Sequence, residues 1–169
     1  MKLSRVGILF LMMMLAACGF ELRGIADLSF KNLYIQGPTL SISKGLKKAL
    51  KINGVNIVED PAKAELFMET ISDSTEKRIL SLNGTVGTVR EFELFYRVSF
   101  RLRDPASETW GKVQTIEERR DFSYTDSELL AKSYEELFLY DDMRTEALRE
   151  IMRRLVVQKP SKRVTETTE

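Results

Sequence analysis

Residues 91–103 read EFELFYRVSFRLR. Phe92, Leu94, Tyr96, Val98, Phe100 and Leu102 hold every even position, and all are apolar. The odd positions, Glu91, Glu93, Phe95, Arg97, Ser99, Arg101 and Arg103, are mostly charged. Successive strand side chains point to opposite faces, so this alternation describes a strand with one buried and one wet face. Asp104-Pro105 ends it. Upstream, Asn83-Gly84 is a hairpin-turn dipeptide, and residues 65–82 before it are long and mostly extended. The pair 65–82 and 90–103 therefore reads as a hairpin, followed after a polar loop by a further long strand over 111–122.

Working outward, Leu33-Tyr34-Ile35 is a short strand closed by Gly37-Pro38. Ile42, Leu46, Ala49 and Leu50 recur at helical spacing and predict a helix over 40–52. Thr39 or Ser41 can cap its start, and Asn53-Gly54 suits a left-handed exit. Residues 55–58 (VNIV) read as a strand broken by Asp60-Pro61. A long helix is predicted over 126–157, opened by Thr125-Asp126-Ser127-Glu128 at capping-box spacing. Its apolar stripe is Leu130, Tyr134, Leu137, Tyr140, Ala147, Leu148, Ile151 and Leu155, irregular over 140–147. Arg149, Arg153 and Arg154 complement its dipole. The expected fold is α+β: a mainly antiparallel, four-stranded sheet with two helices packed on one face. That single domain is expected over 32–157, with a disordered polar tail over 158–169.

At 169 residues the chain has the length of one domain, and at 43% hydrophobic and 30% charged it can bury a core. With 26 Lys+Arg against 25 Asp+Glu it lacks the basic excess of a nucleic-acid binder. There is no His, which removes Ser-His-Asp triads and His-based zinc sites. The single Cys excludes an intramolecular disulfide or a paired-Cys metal knuckle.

That Cys follows an address. Lys2 and Arg5 form a basic region, residues 6–15 (VGILFLMMML) an apolar run, and Ala16-Ala17 a small-residue site. The run is shorter than the roughly 20 apolar residues that span a bilayer. Leu15-Ala16-Ala17-Cys18 resembles a bacterial lipobox, so residues 1–17 are expected to be a lipoprotein signal and Cys18 the lipidated residue. Several buried acyl chains, at roughly 0.8 kcal/mol per CH₂, hold a protein firmly on a membrane. Residues 18–31 then read as a tether, and Gly19 in place of Asp fits onward transport to the outer membrane by analogy with such lipoproteins.

The catalytic inventory is empty, and no metal site or cofactor is expected beyond the lipid on Cys18. Glu117 and Glu118 are strand neighbours and point to opposite faces, so they cannot act on one group. Asp141-Asp142 has no further ligands at suitable spacing, and no phosphate-binding glycine loop is present. The wet face of 90–103 runs from acidic to basic. Arg97 and Arg101, with Phe95 beside them, can dock phosphate groups or an acidic protein surface.

Several segments in order resemble the LptE family of lipopolysaccharide-assembly lipoproteins. Residues 18–24 (CGFELRG) are similar to the CG-aromatic-x-LR start of that family. Residues 46–50 (LKKAL) and 52–55 (INGV) are similar to its first helix and exit. Asn83-Gly84, Leu130-Ala131-Lys132, Asp142-Met143-Arg144 and Arg153-Arg154-Leu155 follow in the family's order. The resemblance implies a non-catalytic protein on the periplasmic side of the outer membrane. It would plug a large β-barrel partner, LptD, support that barrel's assembly and assist lipopolysaccharide insertion. It also implies Lys132 as a lipopolysaccharide contact. Leu82 stands where the family tends to have a basic residue beside the hairpin Asn-Gly, leaving Arg78 and Arg90 as the nearby cations. Glu21 likewise departs from the family's start. The alternative is a free periplasm-facing lipoprotein that binds a glycolipid or an envelope protein without a barrel. With no second thiol to acylate, Cys18→Ala is expected to abolish incorporation of radiolabelled palmitate; label retained by the variant would refute the lipobox.

Overall fold

The computed structural model describes residues 28–84, 87–124 and 129–161. The leader, Cys18, most of the tether, the capping-box residues 125–128 and residues 162–169 of the tail lie outside the described residues. The order is β1 (Asn32–Gln36), α1 (Ser43–Ile52), β2 (Asn56–Ile57), β3 (Leu66–Leu82), β4 (Val89–Arg103), β5 (Gln114–Ser123) and α2 (Leu129–Val156). A short 3-10 turn, Pro61–Lys63, precedes β3, with Asp60 capping it through Ala62 N–H.

The sheet is five-stranded and mixed, in the order β2-β1-β3-β4-β5, which corrects the expected four-stranded antiparallel sheet. β3, β4 and β5 are antiparallel, but β1 lies parallel to both β2 and β3. The reason is the connection through α1. A strand that returns through a crossover helix re-enters parallel to its predecessor. β2 has two residues and pairs only Asn32↔Asn56 and Leu33↔Ile57, too short for a periodic signal.

Both helices lie on one face of the sheet, over the even side of β4. Leu94, Tyr96, Val98, Phe100 and Leu102 are buried against Leu46 and Leu50 of α1 and Met143, Ala147, Ile151 and Leu155 of α2. The core also takes in Leu28 and Phe30, upstream of the boundary expected at 32. α1 ends as Asn53-Gly54 requires. Gly54 has φ +74°, and Asn53, Gly54 and Val55 N–H groups donate to Ala49, Lys51 and Leu50 carbonyls. Its start differs from the expected cap. Ser41 is turned away to Asp73, and the Ser43 hydroxyl instead accepts from Leu40 N–H at 2.9 Å.

β1 accompanies β3 only over Leu66–Glu69, and at Ile71 a bulge inserts one extra residue against β4. Beyond it the side-chain phase of β3 reverses: Ser74, Glu76 and Arg78 share the open face with odd β4 residues, and Lys77 faces α2. Thr70, the buried polar residue at the bulge, donates to both Gln36 and Pro38 carbonyls (3.1 and 2.8 Å). The turn it braces brings Gly37, at φ +102°, so close that a Cβ there would stand 2.1 Å from Thr70 O.

Where α1 begins, Ser41 N–H donates to Asp73 at 2.9 Å, and the Tyr96 hydroxyl donates to the same carboxylate at 3.3 Å. Burial pushes the Tyr96 phenol up to about 12; the Ser41 hydroxyl opposes this and the Asp73 charge reinforces it. Below about pH 10, where an unfolded Tyr ionises, this contribution to stability is complete. It is lost as pH rises through about 12. Alkaline denaturation is therefore expected to steepen between those values in the natural protein and to be flatter in Tyr96→Phe. Gly37→Ala is expected to lower the unfolding free energy by about 2 kcal/mol or more in urea titrations. Gly54→Ala, which meets no neighbour within 4 Å, should cost only about 1 kcal/mol.

Candidate functional surface

Two surfaces remain outside the core. The first is the open face of the sheet, where odd residues of β4 meet β3 and β5. Arg97 sits between Glu76 and Glu117 and bonds both, with Glu76 at 2.7 Å. Arg78 takes the other side of Glu76, at 2.5 Å. Arg101 bonds Glu69, and Arg119 pairs with Glu93 at 2.8 Å. The guanidinium of Arg101 holds the Glu69 carboxyl below its ordinary range, as those of Arg78 and then Arg97 do for Glu76. Aromatic rings sit between these cations. Phe95 has Arg78 and Arg97 at 4.8 and 4.9 Å from its centroid. Trp110 has Arg101 and Arg103 at 5.1 and 5.3 Å, and Phe67 has Arg103 at 4.1 Å.

This network changes the expected docking face. Phe95 stands on the wet side as expected but is only 6% exposed, because the two guanidinium groups cover it. Arg97 and Arg101 already have carboxylate partners. An incoming phosphate would have to displace Glu76, Glu117 or Glu69. Arg103, at the basic end of the same row, has no carboxylate within ion-pair distance among the described residues and donates to the Ser107 carbonyl at 2.9 Å.

The second surface is the distal end, formed by the hairpin and the first half of α2. Here α2 adds polar contacts to a small aromatic layer, in which Phe92 stacks on Phe122 and meets Tyr124 edge-on. Lys77 pairs with Glu136 at 2.5 Å while lying 4.1 Å over Phe92, and the Tyr140 hydroxyl donates to Glu76 O at 3.2 Å. Leu130, Tyr134, Leu137 and Phe138 follow one another at i, i+4, i+7 and i+8, one stripe of the helix, and are 64–77% exposed. The hairpin adds exposed Ile79, Leu80 and Leu82. Leu130, Tyr134 and Leu137 were expected in the core stripe. The stripe changes face instead, because Leu137-Phe138-Leu139-Tyr140 is wider than one side of a helix. From Met143 onward the apolar side turns to the sheet. That run was the sequence signal for a second apolar face.

Lys132 lies on the inner side of α2. Its ammonium bonds Glu135 at 2.8 Å and Ser123 Oγ at 3.3 Å and stands 5.5 Å from the Phe122 centroid. Arg90 is exposed beside Tyr124, whose N–H donates to the Arg90 carbonyl, and has no carboxylate partner among the described residues. Thus Arg78, Phe95 and Arg97 form one cluster on the open face and Arg101 a second with Glu69 and Trp110, whereas Arg90 and Lys132 stand at the distal end. The hairpin loop is longer than the Asn83-Gly84 turn: Asn83 N–H donates to Thr88 O, and Gly87, at φ +69°, supplies the left-handed residue. Among the described residues no His, Cys, Asp or Glu group is arranged to hold a metal ion, and no helix is long and apolar enough to cross a membrane.

The chain is similar to the LPS-assembly lipoprotein LptE of Photorhabdus laumondii, 29% identical over 83% of this chain and 78% of that protein. It is also similar to two solved structures. Lipoprotein B of Nitrosomonas europaea matches with TM-score 0.71 and 37% identity over 82% of this chain and 90% of that one. The rare lipoprotein B of Shewanella oneidensis matches with TM-score 0.66 and 31% identity over 74% and 93%. The model of the lipopolysaccharide-assembly family LptE matches residues 30–155, which take in the whole sheet and nearly all of both helices, and the chain belongs to that family.

Proposed function

We propose that the protein is an outer-membrane lipoprotein, anchored on the periplasmic side through Cys18, that plugs a large β-barrel of the LptD type. In that position it helps the barrel assemble and insert lipopolysaccharide at the cell surface, without catalysis. Family membership supports the lipopolysaccharide role. The observation that carries the plug reading is the distal end, where an apolar helical stripe and an apolar hairpin stand uncovered together. Exposed apolar patches of this kind are covered by partners.

The rest of the surface suits a wet lumen. On the open sheet face, every arginine but Arg103 among the described pairs is matched by a glutamate, leaving a face that is polar but carries little net charge. Such a face neither draws in counter-charges nor sticks to one sign of wall. Contacts with lipopolysaccharide phosphates fall to cations without an internal carboxylate. Arg90 at the distal end is one of these. Lys132 would exchange Glu135 for a phosphate, and Arg78, Arg97 and Arg101 would do the same with their own glutamates.

Pull-down of tagged full-length protein from mildly solubilised envelopes is expected to recover a stoichiometric large β-barrel. Recovery of the lipoprotein alone would favour a free glycolipid-binding lipoprotein. Leu137→Glu with Phe138→Glu is expected to lower barrel recovery about tenfold or more, since burial of each side chain contributes about 1.5–3 kcal/mol. Both side chains are exposed, so the unfolding free energy should move by only about 0.5 kcal/mol. Undiminished recovery would contradict the assignment of this stripe.

A further inference from the structure

The ion pairs that neutralise the sheet stop short of α1. Its sequence, SKGLKKALKI, has no acidic residue, and Lys44, Lys47, Lys48 and Lys51 recur at i, i+3, i+4 and i+7. At 3.6 residues per turn these four cover about 100° of the helix, opposite Leu46 and Leu50, and run about 10 Å along it. All four are exposed. None has a carboxylate within ion-pair distance among the described residues, whereas thirteen ion pairs occur elsewhere in the domain. Four lysines grouped on one helix face without counter-charges of their own are complementary to an external anion.

The position of the stripe says which anion. The last turn of α1 leads into β2, where Asn56 N–H donates to Lys31 O at 2.7 Å. Lys31 immediately precedes β1, so the C-terminal end of α1 lies beside the point at which the chain enters the sheet. Ile52 is exposed at the same end. Only nine residues lie between Cys18 and Leu28, ten steps with a reach of about 35 Å when fully extended. If Cys18 carries the anchor, as the proposed function holds, this end of the domain is confined near a bilayer surface. The stripe is convex and open, the form of a surface contact rather than a pocket for one ligand. Lysine ammonium groups on flexible stems suit such diffuse phosphate layers.

We infer that the lysine stripe of α1 docks the domain on the anionic headgroup surface of the bilayer that holds its lipid anchor. Docking there holds the proximal part of the domain against the membrane and leaves the distal apolar end free for a partner.

The test uses the lipidated protein isolated from envelopes and reconstituted in phosphatidylcholine vesicles, or in vesicles with one third phosphatidylglycerol. Lysine acylation is followed by mass spectrometry. Lys44, Lys47, Lys48 and Lys51 are expected to react about threefold or more slowly on the anionic vesicles, with the difference removed at high salt. Lys132, at the distal end, should keep its rate. Equal rates on the two vesicles would overturn the inference. So would protection that appears only with lipopolysaccharide in neutral vesicles, which assigns the stripe to the glycolipid, or only with a copurified barrel, which assigns it to an acidic protein surface. Flotation with neutral vesicles reads the anchor separately. Protein that fails to float overturns the Cys18 reading, whatever the lysines report.

Discussion

Burial of the even side chains of β4 beneath two helices is the contact on which the architecture depends. It sets the sheet as one-sided, because α1 and α2 both supply their apolar residues to that face. It also sets where the core ends. β3 has 17 residues and runs about 55 Å, whereas α1 has 10 and covers about 15 Å. β1 accompanies β3 for only four residues before the bulge at Ile71. The hairpin therefore extends well past the region that α1 and β1 can cover. What covers its far end is the first half of α2, held by Lys77–Glu136 and the Tyr140 hydroxyl beside a small layer of Phe92, Phe122, Tyr124 and Leu139. The proximal half is thus covered by a broad apolar layer, and the distal half by a thinner one supplemented by polar bridges.

The open face solves a different problem. A strand with one apolar face leaves a charged row in water, and here that row is closed on itself by glutamates from both neighbouring strands. Each exposed pair contributes little to stability, about 0–1 kcal/mol. The consequence is electrostatic instead: three of its four ion-paired arginines sit beside Phe95 or Trp110, and the face presents little net charge. Cations without partners are then distinguishable by position. Among them, the four lysines of α1 stand at the proximal side, Arg103 among aromatic rings, and Arg90 at the distal end.

Elements whose determinants are local were legible in the sequence. The alternation in β4, the Asn53-Gly54 exit of α1 and the extent of the long hairpin each depend on neighbours within a few residues. The fifth strand was not legible as a sheet member, because β2 takes its place through a crossover and two pairings rather than a pattern. The two faces of α2 merged into one expected stripe because apolar residues occur almost throughout residues 137–140. Only packing decides which of them turn inward. Phe95 shows the same limit at a single residue: the sequence places it on the wet face, but its cover comes from Arg78, brought alongside by a register shift at Ile71. Of the surface, Arg97 and Arg101 were found as residues, but their glutamate partners lie on β3 and β5 and were invisible one strand at a time.

If a partner completes the distal end, as proposed, the first half of α2 and the hairpin end are held loosely in the free protein. Backbone hydrogen exchange along α2, compared between the isolated lipoprotein and its complex from mildly solubilised envelopes, tests it most directly. Slow exchange is expected over residues 143–155 in both states, and fast exchange over 130–138 and 79–82 that slows markedly only in the complex. Equal protection along the whole helix in the isolated protein, or no gain at the distal end on assembly, would contradict it.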